Sequence, residues 1–207
     1  MQDKTDIKFA NLFASPLAAR VLPDTEQLNQ KLVSRIQAHE QDSPGESKTN
    51  VGGWHSETGQ LEFCGDAGME LIRHIYAMTD EVTQRVLAEN NQPWRPMRWT
   101  LHAWANVNRP GDFNRVHTHA GSTWSGTYYV DAGDPDSDEG TPIHLLDPCQ
   151  GRANTFLSGL VATTFLQRPQ AGMLILFPSY VPHMVYAHRG GRPRISIAFN
   201  MRKEPYP

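Results

Sequence analysis

The chain has 207 residues, 39% of them hydrophobic and 20% charged, which fits one compact domain and argues against wholesale disorder. Nineteen basic residues against 22 acidic ones give a formal net charge of −3. No basic excess therefore draws it to nucleic acid or an anionic membrane, and no apolar run approaches the roughly 18 residues that a membrane span needs.

The opening MQDKTDIKFANLFASPLAAR does not read as a signal peptide. Acidic residues sit among its lysines, and Asn11, Ser15 and Pro16 interrupt its apolar stretch. Cys64 and Cys149 are too few for a disulfide framework or a cysteine-rich zinc site. They are expected to be buried free thiols in a reducing, cytoplasmic setting.

Residues 24–41 place Leu28, Leu32, Val33 and Ile36 at helical spacing behind a start signal at Asp24 and Thr25. The polar stretch DSPGESKTNVGGWHSETG then reads as loop. Residues 66–90 predict a longer helix, with a stripe of Leu71, Ile72, Ile75, Met78, Val82, Val86 and Leu87 that ends before Pro93 and Pro96. From Arg98 the period changes to that of strands. WTLHAWANVN, STWSGTYYVDA, GMLILFP, MVYAH and RISIAFN are β-branched or aromatic runs between turn residues, and PIHLL and TTFLQ are shorter candidates. Six to eight strands after two helices, with no helix between them, predict an antiparallel sandwich or barrel and exclude a doubly wound parallel sheet. The insert DAGDPDSDEGTP alternates Asp134, Asp136 and Asp138, but Glu139 and Leu145 stand where an EF-hand needs Gly and Glu. It reads as a solvated acidic loop.

The nine histidines hold the chemical signal. In Asn114-Arg115-Val116-His117-Thr118-His119, side chains two apart on an extended segment point the same way, so His117 and His119 can share one interior. His183 follows GMLILFP and a rigid turn. Two close ligands and one remote one form one face of a six-coordinate metal, leaving the other face for substrate and oxygen. An HxH pair alone is equally compatible with surface or hydrogen-bonded histidines. Arg194 opens the strand RISIAFN, where a buried guanidinium needs a partner, either an internal carboxylate or a ligand's. His39, His74 and His188 read as surface residues; His102 shares the parity of Trp104 and Asn106.

The ordered set HxH, SGTYYV, GMLILFPSYVPH and RPRISIAFN, with GGWHS upstream, resembles the 2-oxoglutarate- and iron(II)-dependent oxygenases. It is most similar to a bacterial branch without an assigned substrate and related to the prolyl hydroxylases. The resemblance covers about residues 98–202. It implies a mainly β chain whose helices brace a double-stranded β-helix, or jelly roll. Residues 1–97 would form an N-terminal helical and loop extension on a core at 98–207. It places iron(II) on His117 and His183, with His119 at the position where most such enzymes have Asp or Glu. A three-His face is known among cupin-type thiol dioxygenases. It puts the far carboxylate of 2-oxoglutarate on Arg194, helped by Tyr129 and by Ser196. Strand parity turns Trp104, Asn106 and Asn108 to one face, so Asn106 is either a contact of the metal ligands or of 2-oxoglutarate, or a local hydrogen-bonding residue of the core.

The function expected is therefore an iron(II)- and 2-oxoglutarate-dependent oxygenase hydroxylating a small molecule or peptide side chain, with no nucleic-acid or membrane partner. Two alternatives stand beside it. One is a three-His cupin-like dioxygenase or isomerase that does not use 2-oxoglutarate. The other is a non-catalytic jelly-roll binding module. The prime substrate and the oligomeric state, a homodimer included, are open.

Overall fold

A computed structural model describes residues 14–134, 141–149 and 162–205. Two helices, α1 (Glu26–Asp42) and α2 (Gly65–Glu89), precede most of the β structure. Each is amphipathic at the expected period: α1 buries Leu28, Leu32 and Ile36, and α2 buries Leu71, Ile72, Ile75 and Met78. No helix among the described residues is long and apolar enough to cross a membrane.

Eleven strands are described: β1 (Ala18–Val21), β2 (Asn50–Val51), β3 (Trp54–His55), β4 (Trp99–Asn108), β5 (Phe113–His117), β6 (Trp124–Asp131), β7 (Ile143–Leu146), β8 (Thr164–Gln167), β9 (Met173–Pro178), β10 (His183–Val185) and β11 (Arg194–Lys203). They form a six-stranded sheet, β1-β9-β6-β11-β4-β3, and a five-stranded sheet, β2-β5-β10-β7-β8. Every pairing is antiparallel and neither sheet closes on itself. This is the jelly-roll arrangement.

The strands from Trp99 onward match the runs read from alternation, except β5, which is not among those runs and coincides with the extended segment that carries His117. Three do not come from that region. β1 pairs with β9, and β2 and β3 arise from the GGWHS neighbourhood that reads as loop in the sequence. These strands are only two to four residues long, too short for a periodic signal, and only their partners define them.

The large core lies between the helices and one face of the six-stranded sheet, where Leu32, Ile36, Leu71 and Ile75 meet Leu101, Tyr128, Ile195, Ile197 and Phe199. Polar tips fasten the layers: Tyr128 donates to Asn29 Oδ1 at 2.6 Å, Trp124 Nε1 to Thr83 Oγ1 at 2.9 Å, and Trp99 Nε1 to Asp80 Oδ1 at 2.8 Å. A smaller core of Tyr129, Ile143, Leu145, Ile175, Phe177, Val181 and Val185 joins the two sheets. The helices thus brace the back of one sheet, and its other face is left to build a cavity.

Candidate active site

A cavity of about 300 Å³ opens between the sheets, lined by β4, β6 and β11 from one side and by β5, β7 and β10 from the other. His117 ends β5 and His183 opens β10, directly opposite in register. His119 lies two residues beyond β5, where its backbone N–H donates to the Ser179 carbonyl at 3.0 Å. Ligand nitrogens of the three histidines all lie within 4.8 Å of one another. The Nε2 atoms of His119 and His183 are 3.2 Å apart.

Backbone carbonyls set the tautomers. His117 Nδ1 donates to the Arg115 carbonyl at 2.7 Å, and His183 Nδ1 donates to the Val181 carbonyl at 2.9 Å. A carbonyl only accepts, so both rings carry their proton on Nδ1 and turn an Nε2 lone pair to the cluster. Burial lowers all three pKa values. His183, with His117 and His119 beside it, is brought down to about 3, and His119, with His117 beside it, to about 4. The histidines are therefore neutral near pH 7, the form that binds metal. Two such donors, each about 2.1 Å from one ion and at right angles, would stand about 3 Å apart. The donor set fits a divalent cation.

Further along the same wall, Arg194, Ser196, Ala198 and Asn200 alternate into the cavity while Ile195 and Ile197 face the helices. Arg194 is 2% exposed, and among the described residues no carboxylate pairs with it. It donates only to Ser196 Oγ, at 3.3 Å, and its Nε is buried without a partner. Tyr129, fully buried, lies beneath it: the guanidinium carbon is 5.1 Å from the ring centroid, and the Tyr129 hydroxyl is also unpartnered. Burial pushes the Tyr129 phenol up and the Arg194 guanidinium down from their ordinary values, each partly opposed by the other. Arginine cannot relieve such a position by losing its proton. Unsatisfied donors of this kind fit the carboxylate end of a dicarboxylic acid. Asn106 lines the wall opposite Ser196, its partner in register.

Other histidines depart from the sequence reading or extend it. His74 is exposed as expected, and His39 is half-buried, stacked on Phe63 and bonded to Glu57. His188, expected at the surface, is buried: Nδ1 meets Thr141 Oγ1 at 2.6 Å and Nε2 meets the Arg192 carbonyl at 2.7 Å. Nothing local in the sequence shows these partners. His55 and His102 both line the cavity. So do Lys48, Thr49 and Thr58, which sequence reasoning missed because their loop reaches the site only through the fold. Asn200 was legible as the next member of the Arg194 parity. Asp134 of the acidic insert accepts hydrogen bonds from the Gly191 and Arg192 backbones; Asp136, Asp138 and Glu139 lie outside the described residues.

Residues 102–200 match the family model described as "Putative 2OG-Fe(II) oxygenase". That segment is thus similar to the 2OG-Fe(II) oxygenases. It contains His117, His119, His183, Arg194, Tyr129, Ser196 and Asn106. The oxygenase fold also extends over nearly the whole chain. A prolyl-4-hydroxylase from Pseudomonas putida is similar at TM-score 0.57 and 21% identity, over 91% of this chain and 93% of that one. A prolyl hydroxylase from Trichoplax adhaerens, solved with a hypoxia-inducible-factor peptide fragment, is similar at TM-score 0.61 and 15% identity, over 90% and 83%. HygX from Streptomyces hygroscopicus, solved with nickel and 2-oxoglutarate, is similar at TM-score 0.52 and 12% identity, over 91% and 83%. At these identities the likeness establishes the fold. No curated protein matches the chain.

Proposed function

We propose that this oxygenase couples the oxidative decarboxylation of 2-oxoglutarate to hydroxylation of a small molecule or a peptide side chain, at a centre held by His117, His119 and His183. The observation that carries this reading is the pairing of two features across one cavity. Three neutral imidazoles converge at one side, and beside it waits a buried guanidinium that no carboxylate among the described residues pairs with.

Dioxygen is the oxidant, one of its oxygen atoms going to succinate and the other to the hydroxylated product, and iron(II) together with 2-oxoglutarate, when bound, would supply the chemistry that activates it. The chain's own residues do the rest. The Arg115 and Val181 carbonyls hold His117 and His183 in the ligating tautomer. Phe177 packs edge-on against His183, with ring centroids 4.9 Å apart, and shields it from water. Arg194, with Ser196 and Tyr129, would orient the distal carboxylate of the co-substrate, and its planar fork can give two parallel hydrogen bonds. Asn106 offers an amide between that end and the histidines.

The His at position 119 also keeps a second reading in view: a three-His dioxygenase in which Arg194 binds the substrate's own carboxylate. One assay separates the two. Oxygen uptake and succinate release are followed on iron-loaded protein, with and without 2-oxoglutarate, across amino acids, peptides and small metabolites. Succinate formed in step with oxygen consumption supports the proposal. Oxygen consumption indifferent to 2-oxoglutarate overturns it in favour of the second reading.

A further inference from the structure

Two cavity histidines, His55 and His102, have no part in the metal cluster or the carboxylate site, and of these His55 is the buried one. His55 is 5% exposed, and its ring lies stacked on the Trp104 indole, with centroids 5.4 Å apart and planes 13° apart. Trp104 in turn stands 5.7 Å from the His119 ring. The three rings run in sequence from the cavity wall to the candidate metal ligands. His55 Nδ1 donates to the Ser56 carbonyl at 2.6 Å, which fixes its proton there and leaves Nε2 as an acceptor. Among the described residues Nε2 hydrogen-bonds to nothing, and it is not one of the sealed, unpartnered atoms of the interior. A ring that lines a cavity in this state is an open acceptor.

The fold goes to some length to place it. Gly52 and Gly53 have φ of 73° and 28°. A side chain at Gly52 would collide with Asp112, and one at Gly53 would come within 3.0 Å of the Asn108 amide. These glycines turn the chain from β2 in one sheet to β3 in the other, which sets His55 opposite Asn106 on β4. The GGWHS stretch thereby gains a role that the metal and the co-substrate leave unexplained.

The other residues around the cavity restrict what can lie there. Among the described residues, no aspartate or glutamate lines it. Lys48 reaches its edge, paired with Glu46 at 3.2 Å. The volume is at the small end for a ligand pocket and must be shared with a co-substrate. A cationic group would find no carboxylate there to offset its charge; a compact neutral or acidic group with an N–H or O–H donor needs none.

Building on the oxygenase reading above, we infer that His55 is a substrate-binding residue: Nε2 accepts a hydrogen bond from an N–H or O–H of a small neutral or acidic substrate group lying against Trp104.

The test uses the full chain loaded with zinc(II) and 2-oxoglutarate, so that binding is read without turnover. Amino acids and their N-acetyl amides, in neutral, acidic and basic sets, are titrated while tryptophan fluorescence and the ¹⁵N resonances of the histidines are followed. Neutral or acidic members are expected to shift the His55 Nε2 resonance. His55→Phe keeps a stacking ring and drops the acceptor, and should weaken those ligands at least tenfold. His55→Gln returns an acceptor at similar reach and should recover part of the loss. The 2-oxoglutarate affinity should stay within twofold in both. The inference is overturned if no member of the panel perturbs His55, if His55→Phe binds the same ligands as well as the parent, or if only basic members bind. Failure of zinc and 2-oxoglutarate to bind would sink the oxygenase reading instead. The same titration of the metal-free chain would then still decide His55.

Discussion

His117 and His183 stand opposite each other across the β5–β10 pair, each ring fixed by a carbonyl two residues back in its own segment. Directly opposed residues of an antiparallel pair have Cβ atoms about 4.5–5.5 Å apart. The strand register therefore sets the spacing of two donor groups before any metal arrives, and the Ser179 carbonyl holds the backbone of the third, His119, beside them.

Removing a ligand from such a set should cost more than the 10–100-fold in affinity that loss of an outer-shell partner costs. His117→Ala and His183→Ala are each expected to abolish stoichiometric iron(II) binding, measured by metal analysis after loading, while circular dichroism stays that of a folded β protein. His119→Ala should do the same. If His119→Ala retained one iron per chain, the third ligand would have to be sought elsewhere.

Arg194 gives a prediction of opposite sign for stability and for binding. Among the described residues no carboxylate pairs with this buried guanidinium, which destabilises the ligand-free chain, and an apolar replacement of similar volume is expected to be neutral or stabilising by about 1–4 kcal/mol. Arg194→Met should match or exceed the parent in chemical denaturation without ligand, yet gain nothing from added 2-oxoglutarate, which stabilises the parent by mass action. Arg194→Lys keeps the charge without the planar fork and should bind 2-oxoglutarate more weakly than the parent. Equal stabilisation of the parent and Arg194→Met by 2-oxoglutarate would remove the residue from the co-substrate site.

Gly126 on β6 should tolerate no side chain. A methyl group there would press into the Ile175 carbonyl on β9 and the Phe199 ring on β11. Overpacking of this kind costs about 1–3 kcal/mol, so Gly126→Ala should lower Tm by about 2–4 °C for each kcal/mol lost. An unchanged Tm would mean that the Phe199 ring moves more freely than its packing indicates.

The two thiols should separate cleanly. Burial pushes the Cys64 thiol up to about 12, so it stays protonated through the neutral and mildly alkaline range, whereas Cys149, expected from the sequence to be buried as well, is exposed. A thiol reagent at pH 8 is expected to label one cysteine per native chain quickly and two per chain in denaturant. Rapid labelling of both in the native chain would show that the α2 N-terminus, where Cys64 sits, opens readily.

Some of this was open to a reader of the sequence because it depends on periodicity. Side chains on a strand alternate, so the pairing of His117 with His119, the inward set of Arg194, Ser196 and Ala198, and the outward Ile195 and Ile197 follow from spacing two. The helices follow from a period near 3.6, and α1 and α2 lie within two residues of the expected ends. What spacing cannot carry is the identity of a distant partner. Strands β1, β2 and β3 exist because other strands accept their hydrogen bonds, and no alternation marks so short a run. His188 reads as a turn histidine until Thr141 and the Arg192 carbonyl close around it. The lack of a carboxylate beside Arg194 among the described residues, and the place of His55 between Trp104 and the cavity, are likewise decided only when segments far apart in the chain are packed together. The sequence determined which residues could share a face; the tertiary structure decided which faces meet, because burial and satisfied hydrogen bonds belong to the assembled layers and not to any one segment.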